Sequence, residues 1–257
     1  MVESPHKNYF DIAGKWNKVY RCIFYISLGI TVILTLYDNQ ILNRIFDETL
    51  ITILTLVLLV VVEQIVKYYT FKAEEIRRED HLDNSFRKNY LHTQSKNYYD
   101  SEEIYPGTYK MIVNTFECAL FSYTISEKMR SKIIIKNLII FILIIILAFI
   151  GFSQSNYSIP ILQLFLSKDY ILELIDISIY NNRMKKIFDD LKRLFDGNLK
   201  NTNQSVNKHM SEIIRLYMEY EINISDSKLS LDSKIYDALN EELTLQWEEM
   251  KNKYKIQ

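Results

Sequence analysis

The stretch Ile133 to Phe152, IIIKNLIIFILIIILAFIGF, constrains this chain more than any other, because from Leu138 to Phe152 it carries no charge. An α-helix rises about 1.5 Å per residue, so about 20 such residues cross a hydrocarbon layer about 30 Å thick. The stretch therefore reads as a membrane span. Every other apolar run has then to be read against a bilayer instead of a soluble core.

Three further runs fit that frame. Val19 to Tyr37 carries Arg21 near one end and tyrosines at both, where a cation can snorkel and aromatic rings favour the interface. Thr49 to Tyr69 follows after a short acidic connection. Ile159 to Ile179 is charge-free only from Pro160 to Ser167, after which come Lys168, Asp169, Glu173 and Asp176. With 5 Gly and 3 Pro in 257 residues, tight turns are few and an all-α chain is expected. Lys and Arg cluster before the first span, after the second, before the third and after the fourth, whereas the two connections within the pairs hold only Arg44. The positive-inside rule then places both termini and the middle segment in the cytoplasm. The expected organisation is a cytoplasmic N-terminus (1–18), a first transmembrane hairpin (19–69), a cytoplasmic helical insert (70–131), a second hairpin (132–179) and a helical cytoplasmic tail (180–257). The polar first segment contains no cleavable leader pattern.

The insert reads as a charged helix, FKAEEIRREDHLDNSFRKNY, an irregular connector with a turn at Tyr105-Pro106-Gly107, and a helix carrying Met111, Thr115, Cys118 or Ala119, Ser122 and Ile125 at steps of three or four. In the tail, Met184, Ile187, Leu191 and Leu194 form a stripe ending at Gly197. Val206, Met210, Ile213 or Ile214 and Tyr217 form a second, and Tyr236, Leu239, Leu243, Trp247, Met250 and Tyr254 a third.

Three groups of residues carry candidate chemistry. Glu63 follows the largely apolar run Leu50 to Val62, and a carboxylate there marks either an ion path or an interfacial pair with Lys67 one turn on. Asp169, Glu173 and Asp176 share one helical face and read either as acids lining a cation-favouring pore in an oligomer or as a solvated face. Arg77, Arg78, Arg87 and Lys88 lie among Tyr98, Tyr105 and other tyrosines, a composition that can hold phosphates and stack bases, or equally contact an anionic leaflet. The Asp80-His81-Leu82-Asp83 cluster reads as a solvated face.

Other chemistries find little support. No HExxH, GxSxG or P-loop is present, so neither a catalytic residue nor a metal ligand is assigned and no cofactor is expected. Cys22 and Cys118 form no CxxC. A net charge of -1 gives no bias toward DNA or RNA.

The order of parts, hairpin, helical insert, hairpin, helical tail, resembles the four-transmembrane (S-4TM) effectors of CBASS-type bacterial antiphage systems. Local similarities lie at AEEIRREDHLDNSF after the second span, at Ile104-Tyr105-Pro106-Gly107 before the third, and at Ser158-Ile159-Pro160 early in the fourth. Near the C-terminus, Asp232 or Ser233, Tyr236, Leu239 and Glu242 follow that family's tail pattern. The chain departs from it at Asn114-Thr115-Phe116-Glu117 and at Ser230-Leu231. The resemblance implies a multi-pass protein of the bacterial inner membrane that forms homo-oligomers in the lipid bilayer. A cyclic oligonucleotide from a partner synthase would activate it, and the membrane would then be breached in abortive infection. The alternative is a non-enzymatic scaffold or sensor subunit that recruits a protein through its cytoplasmic helices; a transporter is a weaker third reading.

Overall fold

In a computed structural model of the chain, the residues described are 4–36, 48–93, 95, 98, 99, 101–150, 172–227 and 229–256. They form six α-helices and no strand: α1 Lys7–Leu36, α2 Glu48–Phe86, α3 Thr108–Ile150, α4 Glu173–Asp196, α5 Asn203–Ser227 and α6 Ser233–Tyr254. The all-α expectation holds for these residues. Helices of 39 and 43 residues, α2 and α3, far exceed the usual three or four turns. Their length follows from composition, because neither contains Gly or Pro.

Two compact units share these helices. One comprises Met1–Tyr9, Phe71–Ser131 and Asp176–Gln257; the other comprises Phe10–Thr70 and Lys132–Ile175. Both α2 and α3 contribute residues to each unit.

The first unit, here the helical unit, has an aromatic core. From Tyr109 to Leu120, α3 is buried almost all the way round, so it is the central helix and not the one-sided amphipathic helix that the spacing of Met111 and Thr115 predicts. Phe116 stacks on Phe195 at 5.1 Å and meets Trp247 edge-on at 5.5 Å, and all three are buried. The tail stripes close over it as expected. Met184, Ile187, Leu191 and Leu194 are buried on α4, and Leu243 and Trp247 on α6. On α5 it is Ile213 that faces inward, with Leu216 and Tyr220, while Ile214 faces out. Helix α4 stops at Asp196, and the left-handed residue beyond it is Asn198 (φ 64°) instead of the expected Gly197. Asp232 caps α6, accepting from the backbone N–H of Lys234 at 2.8 Å.

The second unit is built the other way out. Ile53, Leu54, Leu56, Val57, Val60 and Val61 on α2, and Ile135, Leu138, Ile139 and Phe141 on α3, are half or more exposed. Among the described residues, one helical segment, Ile53–Phe86, is long and apolar enough to cross a membrane. The Ile133 to Phe152 stretch, read from sequence as a membrane span, is not exposed on every side. Ile133, Asn137 and Ile140, at i, i+4 and i+7, are buried, and the Asn137 amide donates to the Ile133 carbonyl at 3.0 Å. One face of that helix is therefore buried. The expected fourth span lies mostly outside the described residues.

Candidate functional site

The Phe71–Phe86 part of α2 sets a polar face into the helical unit. Glu74, Arg77, Asp80 and His81 recur at steps of three or four and all are buried. Arg77 is 8% exposed and makes a two-pronged ion pair with Glu221 of α5, Nη1 to Oε1 at 3.2 Å and Nη2 to Oε2 at 2.5 Å. Its guanidinium also lies 5.7 Å from the centre of the Tyr220 ring. Burial works against this charge, and Glu221 more than offsets that effect. A planar fork suits such a pair better than an ammonium would.

His81 occupies the next turn. Its Nδ1 lies 3.4 Å from the Tyr99 hydroxyl, its Nε2 lies 3.4 Å from the Thr115 hydroxyl, and its ring stacks on Tyr217 at 5.6 Å. Burial, helped by the charge on Arg77, pushes its pKa down to about 3, so the imidazole is neutral at pH 7. His6, edge-on to Tyr98 at 5.2 Å, is held at about 4 for the same two reasons. Burial pushes the Cys118 thiol up to about 12, which leaves it a poor nucleophile.

The Asp80-His81-Leu82-Asp83 cluster is therefore not the solvated face that its charge predicts. Asp80 and Asp83 are both 1% exposed. Asp83 accepts from the backbone N–H groups of Tyr90 and Leu91 at 2.8 and 2.9 Å, and Asp80 accepts from both the N–H and the hydroxyl of Ser95. These carboxylates satisfy backbone donors in a connector that makes no helix of its own. Asn114 adds a third tie, donating to Asn84 at 2.9 Å and accepting from Ser101.

The residues read from sequence as ligand-binding fall into two groups. Arg77 is buried in its ion pair, Tyr98 is half-buried against His6, and Arg78 is half-buried on the same helix. Arg87, Lys88 and Tyr105 are exposed and come together at the end of α2. Arg87 terminates the helix in the left-handed region (φ 50°). Two residues earlier, the Ser85 carbonyl accepts from the Gly107 N–H at 2.9 Å, which brings the Tyr105-Pro106-Gly107 turn to that point. Gly107 has φ 152°, at the edge of the range glycine tolerates best. Lys110 lies within electrostatic reach of Arg87, and burial together with that neighbour lowers its pKa. The tip thus offers two exposed cations and an 80% exposed tyrosine ring, with the buried Lys110 behind them.

In the second unit, Glu173 receives Arg21 at 3.2 Å and Lys136 at 2.5 Å, so this member of the acidic stripe joins α1, α3 and α4. Asp176 is exposed, and Asp169 lies outside the described residues. Glu63 pairs with Lys67 at 3.0 Å, one turn on. Among the described residues no group of three or more His, Cys, Asp or Glu is arranged to hold a metal ion. Glu221 and the roles of Asp80, His81 and Asp83 were not legible beforehand. The one available signal was the acid-aromatic pair Tyr220-Glu221 on the inward side of α5. Comparison of the chain with family models, with curated proteins and with solved structures finds no match.

Proposed function

We propose that the chain is a four-span effector of the bacterial inner membrane, both termini cytoplasmic, which a cyclic oligonucleotide from a partner synthase switches from a closed to a membrane-breaching state. The observation that carries the membrane part is the outward apolar surface of the second unit, since large aliphatic side chains exposed along α2 and α3 have a natural solvent in lipid tails. The effector part rests on the resemblance of the chain's order of parts to the four-transmembrane effectors. The tip of α2 supports a phosphate-bearing ligand: Arg87 and Lys88 offer cations, Tyr105 offers a ring for a base, and all three are open to water.

Mechanistically, a ligand that favours one arrangement of the tip over another shifts the population of the helices that carry it. No covalent step is needed. Glu173, Asp176 and Glu63 are the acids proposed to line or gate an opening. The test is dye release from liposomes containing the purified chain, with a panel of cyclic di- and trinucleotides. Release by one of them, lost in Arg87→Ala/Lys88→Ala, supports the reading. If none releases dye, and cells expressing the chain survive induction of a synthase, the proposal fails. In that case co-purification of a protein partner, abolished by deleting 201–257, would favour the scaffold reading.

A further inference from the structure

Helix α5 has two apolar faces and only one of them is used. Ile213, Leu216, Tyr220 and Asn223 point into the helical unit. On the opposite side Ile214, Met218 and Ile222, at i, i+4 and i+8, are 46, 54 and 50% exposed. At 100° per residue they fall within about 80° of one another, a single stripe. The stripe is symmetric about Met218: an isoleucine lies four residues to either side and a serine, Ser211 and Ser225, seven residues to either side.

The charges beside the stripe are ordered in the same way. On one flank Lys208 and Arg215 precede Met218, and Glu219 and Asp226 follow it. Turned end for end, the same helix would set Ile214 against Ile222, Lys208 beside Asp226, and Arg215 beside Glu219. We propose that α5 pairs antiparallel with α5 of a second copy of this chain, about a two-fold axis at Met218. The pattern is the self-complementarity that an isologous contact requires. An anionic lipid surface fits less well, because the Glu219 and Asp226 half of the flank would face like charge.

Existing contacts do not block this pairing. Arg215 now meets Glu219 of its own helix at 2.7 Å and the mostly buried Asp190 of α4 at 3.5 Å, while Asp226 meets Arg183 at 3.4 Å; the pairs with Glu219 and Arg183 are solvent-exposed. Pairs of that kind are weak and exchange partners at little cost. A stripe from Lys208 to Asp226 is about 27 Å long, and on a helix about 10 Å across it covers well under the roughly 800 Å² per partner of a standard interface. The dimer is therefore weak and concentration-dependent. The inference does not rest on any nucleotide or membrane-breaching activity.

Cysteine cross-linking of the full chain in detergent micelles tests it, in a background with Cys22→Ser and the half-buried Cys118→Ala. Under mild oxidation Met218→Cys should form covalent dimers. Ile214→Cys and Ile222→Cys alone should not, each lying about 12 Å along the helix from its own symmetry mate, whereas an equal mixture of the two should. Self-cross-linking at all three positions would mean parallel pairing and overturn the geometry. Cross-linking no faster than at Leu245→Cys, an exposed site on α6, would overturn the pairing itself. In sedimentation, Met218→Lys should raise the dimer dissociation constant on the order of tenfold, with an unchanged circular dichroism melt. Lys208→Asp should weaken the dimer and Lys208→Asp/Asp226→Lys should restore it. If Met218→Lys leaves sedimentation unchanged but abolishes binding to vesicles of anionic phospholipid, the face is a lipid contact and the proposal is wrong.

Discussion

The two parts of α2 invert one another. From Ile53 to Val61 the helix shows its aliphatic side chains to the outside, whereas from Glu74 to Asp83 it takes charged and polar side chains inside. One continuous helix thus follows two opposite burial rules. The apolar half needs no internal partner if its surroundings are apolar. The polar half can be buried because its charges find partners, among them Glu221 for Arg77, Ser95 for Asp80 and two backbone amides for Asp83. Surroundings decide where a side chain goes, and hydrophobicity alone does not.

The sharpest way to break this comparison is to leave one buried charge alone. Glu221→Ala strands the Arg77 guanidinium and should cost about 3–5 kcal/mol of stability in the helical unit. Replacing both partners, Arg77→Met with Glu221→Leu, should recover most of the loss. The two tryptophans make the measurement clean, since Trp247 reports the helical unit and Trp16 the other. Denaturation followed by Trp247 in a Trp16→Phe background should shift to lower denaturant in the single variant. An unshifted curve would mean that Arg77 finds another partner or water.

The apolar half is tested in the opposite sense. Val57→Lys places a charge in the middle of the exposed aliphatic run and should oppose membrane insertion by about 2.5–3.5 kcal/mol. The membrane-bound fraction after expression is the readout. A lysine tolerated there without loss would place that face in water and undo the proposed membrane assignment.

Acid should then separate the two units. His81 and His6 have folded values of about 3 and about 4 against 6.5 unfolded. Between those values the unfolded chain binds protons that the folded chain does not, so stability falls as pH drops below 6.5 and is unaffected above about 7.5. By pH 5 each histidine contributes a loss on the order of 2 kcal/mol. All four histidines lie in the helical unit and none in the other. The Trp247 transition should therefore move with pH over this window, and His81→Gln should flatten about half of the slope.

These cases also mark what a sequence can disclose. The helices were legible because so little Gly and Pro interrupts the periodic stripes, and Met184, Ile187, Leu191, Leu194, Leu243 and Trp247 are all buried where their spacing puts them. Arg87, Lys88 and Tyr105 were legible as exposed cations and a ring, although their meeting depends on the hydrogen bond between Gly107 and Ser85. Periodicity carries no sign of what a charge will pair with. Arg77 and Glu221 are 144 residues apart, and Asp80 and Asp83 are buried for the sake of backbone donors in a connector without a pattern. Helix α3 escaped the one-sided reading for a related reason: a helix enclosed on all sides can hold Asn114, Thr115 and Ser126 inside when each is hydrogen-bonded.

The smallest effect sharpens the comparison most narrowly, because it stays on the same stretch of α2. Lys72 and Glu75 form an ion pair at 2.5 Å, as short as the closer prong of Arg77 on Glu221, but their side chains are 40 and 38% exposed against 10 and 13%. Distance is thus matched and solvent is the variable. Water already solvates Lys72 and Glu75 separately, so pairing them gains little and ordering two flexible side chains takes most of that away. Glu75→Ala should move the Trp247 transition by no more than about 0.5 kcal/mol, about a tenth of the largest effect expected for Glu221→Ala. A loss comparable to that of Glu221→Ala would show that length, and not burial, sets the strength of ion pairs on this helix.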